Sequence, residues 1–130
     1  MKSAMSKPFF ELRIYKVFPD KADEWLEFME KTIVPFQRLK GMDIVGNFFS
    51  ESFDLISNDG VKTDVNRNKD DRTYIWIRKF ESKEQMKDLY KKVYESPEWL
   101  DTMNDKVGEL IDRKSILVYQ MESLPYSLIQ

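Results

Sequence analysis

The chain's 130 residues carry 21 Lys and Arg against 23 Asp and Glu, a net charge of −2, with neither His nor Cys. That length fits one domain, and 42% apolar with 14% aromatic residues marks a folded chain without the charge excess that would suit nucleic acid or an anionic membrane. The missing Cys and His remove disulfides, thiolate nucleophiles, zinc–thiolate sites, imidazole ligands for metal or haem, and the side chain best suited to moving protons near neutrality.

Residues 1–8, MKSAMSKP, lack the apolar stretch of about 7–15 residues that a secretory signal needs and read as a disordered tail. No run of about 18 apolar residues follows, so a cytoplasmic chain with no membrane partner is expected. Phe9–Phe18 alternates with a period of two, Phe10, Leu12 and Ile14 on one face and Glu11, Arg13, Tyr15 and Val17 on the other, which predicts a strand. Its Phe10–Leu12–Ile14 stripe is expected to face the helices. Pro19-Asp20 ends it. From Lys21, Ala22, Trp25, Leu26, Met29, Ile33 and Phe36 recur at helical spacing, with Pro35 predicting a kink or break near Thr32 and Gly41 a stop.

Asp43–Ser50 reads as a second strand, 53–72 as a long polar loop, and Thr73–Phe80 as a third strand, aromatic and β-branched. Ser82 with Gln85 has capping-box spacing ahead of an amphipathic helix. Ser96-Pro97-Glu98 restarts a helix carrying Trp99, Met103, Val107 and Leu110. Ser115–Met121 is the last strand. The folded domain is expected over 9–122, with 123–130 as a tail.

The order β-α-β-β-α-β predicts an α+β, ferredoxin-like fold: a four-stranded antiparallel sheet with helices on one face. An antiparallel sheet usually leaves its other face polar. Here the second, third and last strands are apolar on both sides, as in Ile75 and Ile77 against Tyr74 and Trp76. The second face is therefore expected to be buried too, most economically in a twofold homodimer.

Several short motifs then line up. Glu11-Leu12-Arg13 followed by Tyr15 resembles the ELRxY opening of the NIPSNAP family, and Pro19 through Lys21 is similar to its P-G-K. Pro35, Gly41, Gly46 and Glu51 fall where that family's pattern has them; Phe80-Glu81-Ser82 resembles its aromatic-acidic-Ser run, and Ser96-Pro97-Glu98-Trp99 its D-P-E-W. The resemblance spans residues 9–120 and implies a dimeric α/β barrel of ferredoxin-like protomers. It implies no reaction, since fold likeness alone does not assign chemistry. The 53–72 loop departs from the family by its length.

Candidate site residues follow from the strands. Glu11, Arg13 and Tyr15 share a face, where Arg13 could clamp a carboxylate or phosphate beside Tyr15, or pair with Glu11 at an interface. Tyr74, Trp76 and Arg78 share a face of the third strand and could hold a flat anionic or phenolic ligand, or form a core with Arg78 emerging at the strand end. Asn47, Trp76 and Tyr119 are the side-chain types that could orient a substrate in a cofactor-independent oxygenase. Trp25, Phe28, Met29, Tyr90, Tyr94, Trp99 and Met103 read as core bordering a cavity. Asp64, Asn66, Asn68 and Asp70 imitate a calcium loop, but Lys69 stands where Gly is needed and Ile75 where Glu is needed, so no metal is expected. Lys83, Lys87 and Lys91 interleave with Glu84 and Asp88 as a solvated face. The function expected is a small-ligand-binding or interaction domain, homodimeric and without cofactor, taking an apolar or aromatic anionic ligand. The alternative is a cofactor-independent monooxygenase or isomerase for an aromatic or polyketide-like substrate.

Overall fold

A computed structural model describes residues 7–51, 58 and 72–130. The first six residues of the expected N-terminal tail, nearly all of the expected 53–72 loop and the calcium-like spacing lie outside the described residues.

Strands β1 (Phe9–Val17), β2 (Asp43–Ser50), β3 (Arg72–Phe80) and β4 (Ile111–Met121) form one antiparallel sheet in the order β2-β3-β1-β4. Between β1 and β2 run α1 (Ala22–Phe28), a π-helical turn (Met29–Ile33) and α2 (Val34–Leu39). Between β3 and β4 run α3 (Lys83–Tyr94), a second π-helical turn (Trp99–Met103) and α4 (Asn104–Leu110). This is the ferredoxin-like arrangement, with the helices on one face of the sheet. Among the described residues no helix is long and apolar enough to cross a membrane.

Local chemistry sets the boundaries. Ser82 Oγ accepts from the Gln85 amide at 2.9 Å while Gln85 Oε1 accepts from the Glu81 amide at 2.7 Å, two of the donors a helix start leaves open. Gly41 ends α2 at a φ of +107°, with Met42 N donating to Gln37 O at 2.9 Å in a Schellman closure. Ser96 Oγ accepts from Trp99 N at 3.2 Å and restarts the helical path. Pro35 does not break its helix. The missing N–H is absorbed next to the π-helical turn, where the hydrogen-bond ladder is already widened.

Three expectations are corrected. The helix-facing side of β1 carries Phe9, Glu11, Tyr15 and Val17, all buried, whereas Leu12 and Ile14 lie on the opposite side. Period-two alternation separates two faces without saying which is inner. The pairing of Glu11 with Arg78 and of Tyr15 with Tyr74 decides it, because β3 turns Tyr74, Trp76, Arg78 and Phe80 inward. Arg78, expected to emerge at a strand end, is wholly buried. The last strand also begins earlier, at Ile111, because residues 113–116 bulge out between its two paired segments.

The inner core gathers Trp25, Met29 and Ile33 from the first helical path and Val93, Val107 and Leu110 from the second. The outer sheet face is apolar but open in the protomer: Phe48, Leu117 and Tyr119 are 57%, 56% and 56% exposed. At one end of that face, Leu124, Tyr126 and Ile129 of the C-terminal segment flank Phe10 and Ile77.

Candidate functional site

Between the sheet's inner face and the helices lies a cavity of about 320 Å³, large enough for a small organic ligand. Arg13, Tyr15 and Trp76 line its sheet side; Tyr90, Tyr94 and Trp99 line its helical side. Arg113 and Asn104 stand at the β4 side, with Arg113 Nη2 donating to Asn104 Oδ1 at 3.0 Å.

Both π-helical turns border this space. Trp25, Met29, Ile33 and Gln37 all line the cavity, as do Trp99, Val107 and Ile111. The first set is spaced in fours. On a straight α-helix four residues overshoot a turn by about 40°, so a four-residue stripe drifts around the helix. A π-helical turn takes up that drift and keeps the stripe on the cavity.

Beneath the cavity is a buried polar cluster. Glu11 and Arg78 are both fully buried and joined through Glu11 Oε1, at 2.9 Å from Arg78 Nε and 2.6 Å from Nη2. Arg78 Nη1 donates to Gln37 Oε1 at 2.8 Å and to Tyr94 Oη at 2.9 Å. Tyr90 Oη donates to the second Glu11 oxygen. Arg78 also lies 4.7 Å from the centre of the Trp76 ring, a cation–π contact. Burial works against its charge, but the Tyr94 phenol, Glu11 and Tyr90 outweigh it and hold the guanidinium above its ordinary range.

Arg13 has weaker partners. Its Nη1 reaches Tyr15 Oη only at 3.4 Å, its Nε stands 3.7 Å from Glu11 Oε1, and among the described residues that buried Nε has no hydrogen-bond partner. Two guanidiniums therefore share one carboxylate, and that carboxylate is spent mostly on Arg78. The cluster carries a surplus positive charge in a low-dielectric site. Among the described residues the buried indole N–H of Trp25, another lining residue, is likewise without a partner.

Of the residues singled out from sequence, Arg13, Tyr15 and Trp76 meet at this cavity, and Arg78 lies directly behind it, on the same sheet face as Arg13. Asn47 stands apart on β2, its Oδ1 accepting from Tyr74 Oη at 2.7 Å. Tyr119 is on the outer face, opposite Leu12. The sequence reading missed Glu11 as the counter-ion of Arg78, and missed Gln37, Asn104 and Arg113 altogether. Gln37 carried a signal: it is the polar member of the four-residue stripe that runs Trp25, Met29, Ile33.

The phenols give the cluster a pH signature. Burial raises Tyr15; burial and the Tyr15 phenol raise Tyr74; burial and the bond to Glu11 raise Tyr90. Each binds its proton more tightly folded than unfolded, so its stabilisation is intact below the ordinary value of 10.0 and is lost as pH rises beyond it. In an alkaline titration, these three of the six tyrosines should ionise only together with loss of the circular dichroism signal. Six tyrosinates formed near pH 10 on an intact fold would contradict the buried network.

No family model and no curated protein matches the sequence. Solved structures do. A NIPSNAP family protein of unknown function from Agrobacterium tumefaciens superposes with a TM-score of 0.73 at 18% identity, over 100% of both chains. A NIPSNAP-like domain protein from Burkholderia xenovorans gives 0.70 at 16% identity, over 94% of this chain and 90% of that one. A second Agrobacterium tumefaciens NIPSNAP family protein gives 0.67 at 16%, over 98% and 95%.

Proposed function

We propose that this NIPSNAP-like fold serves here as a homodimeric binding protein for a small, flat, anionic ligand held in the cavity between helices and sheet. The observation that carries the reading is the charge imbalance beneath the cavity. Arg13 and Arg78 face one carboxylate, and a bound anion would supply the missing charge. The aromatic lining adds flat, rigid surface for a ring. Binding without turnover is favoured over the isomerase alternative, which needs a base. Among the described lining and neighbouring groups, Glu11 is the carboxylate at hand, and both its oxygens are engaged. The dimer reading rests on the open apolar sheet face, whose Ile14, Phe48, Ile75, Leu117 and Tyr119 would be covered by the same face of a second copy.

Native mass spectrometry of the protein as purified tests both parts. A mass of twice 15.6 kDa with an additional small mass is expected, and a bare monomer would overturn the reading. Affinity for a defined probe tests the charge argument. Benzoate should bind, and Arg13→Gln should weaken it roughly 30-fold or more. Benzamide, of nearly the same shape and neutral, should bind both proteins alike. Equal losses for the two probes would mean that Arg13 acts through packing.

A further inference from the structure

Three tyrosines line the cavity, and their hydrogens are not equivalent. Tyr90 spends its hydrogen on Glu11. Tyr94 Oη accepts two bonds, from Arg78 Nη1 at 2.9 Å and from Gln37 Nε2 at 3.4 Å. An sp²-attached hydroxyl oxygen that accepts twice has only its own O–H left to offer. Tyr15 Oη accepts from Arg13 Nη1 at 3.4 Å. Among the described residues neither Tyr15 nor Tyr94 donates its hydroxyl hydrogen to any acceptor.

Both phenols are thus backed by a guanidinium and line the same pocket with an unspent donor. A hydroxyl that accepts from a cation is a stronger donor in turn, because hydrogen bonds in series polarise one another. Two such donors on one pocket suit a single oxygen atom carrying negative charge, as the donors of an oxyanion site do. A carboxylate would be better met by an open guanidinium fork. Here the Arg78 fork is consumed by Glu11, Gln37 and Tyr94, and Arg13 is turned toward Tyr15.

We infer that Tyr15 and Tyr94 form a two-donor clamp for the oxygen of a hydroxyaromatic or enolic ligand, and that the ligand is bound as its anion. This rests on the anionic-ligand reading above and narrows it to a chemical class. On binding, the O–H bond of the ligand breaks, the electron pair stays on its oxygen, and the proton leaves to solvent. The oxygen then accepts from both phenols, with Arg13 and Arg78 supplying the opposing charge behind them.

The test uses 4-nitrophenol, whose anion and neutral form differ in visible absorption, with nitrobenzene as a probe lacking the hydroxyl. At a pH two units below the probe's solution pKa, the bound dye should show the anion's spectrum. Uptake should release one proton, seen as a dependence of calorimetric heat on buffer. Tyr94→Phe and Tyr15→Phe should each weaken 4-nitrophenol about 10- to 100-fold and shift the bound dye toward its neutral spectrum, while nitrobenzene binds as before. A bound dye in neutral form, or Phe variants that keep both affinity and anion spectrum, would overturn the clamp. Benzoate binding alongside such a result would leave the wider anion reading standing. If neither benzoate nor 4-nitrophenol binds, both readings fall. Should a Phe variant not fold, the wild-type spectrum alone decides.

Discussion

Replacing Glu11 by Ala is expected to cost about 3–5 kcal/mol of stability, the usual penalty for leaving a buried charge without its partner. The penalty belongs at the upper end here, because the carboxylate serves more than Arg78. Without it, two cations lie in one buried region, and the Tyr90 hydroxyl loses its acceptor. Against a total stability of about 5–15 kcal/mol for a domain of ordinary size, such a loss unfolds much of the protein on mild warming. Urea unfolding reads it directly, and a cost below about 1 kcal/mol would mean that the pair is not dry. The double variant Glu11→Leu with Arg78→Met should recover most of the loss, since well-packed apolar replacements for a buried ion pair are often neutral or stabilising.

Ile75→Glu is expected to convert the proposed dimer to a monomer while leaving the protomer folded. Ile75 sits mid-sheet on the outer face, opposite Ile14 on β1 and Phe48 on β2. In a twofold interface each substitution appears twice, so two unpaired carboxylates would have to be desolvated. At several kcal/mol per ion, and 1.4 kcal/mol per factor of ten, dissociation should strengthen by at least about a thousandfold. Light scattering coupled to size exclusion measures the mass, and circular dichroism checks the fold. A variant that remains dimeric would place the interface elsewhere.

How much of this was legible follows from the range of each interaction. Strand and helix positions were readable because they depend on neighbours a few residues apart: the period of two in β1 and β3, the Ser82–Gln85 cap, Gly41 after α2. The ferredoxin-like order followed from those elements. What could not be read was anything set by pairing across the sheet. Glu11 meets Arg78 across 67 intervening steps of chain, and only the β1–β3 register brings them together. With apolar residues on both faces of β1, the alternation gave no reason to choose Glu11's side as the inner one. Arg13 and Arg78 were each suspected, but their meeting on one face, and the shortage of carboxylate it creates, is a tertiary fact. Arg113 reaches the cavity because β4 bulges, and the bulge depends on how Ser115 Oγ accepts from Lys16 N at 2.9 Å, another long-range contact.

That bulge also bears on how the sheet meets other chains. Among the described residues β2 and β4 are the edges, and a long regular edge is an invitation to add a foreign strand and aggregate. Neither edge is regular. β4 swells at 113–116, where Arg113 and Lys114 are exposed, and β2 shifts register between Ile44 and Gly46. At Gly46 a Cβ would come within 2.8 Å of the Phe48 ring, so a larger residue there would have to push that exposed ring aside. Each border is cut into lengths too short to template a neighbour. A chain with so apolar a sheet is thereby discouraged from growing sideways, and in the proposed dimer its stickiness is directed to the one surface where growth stops at two.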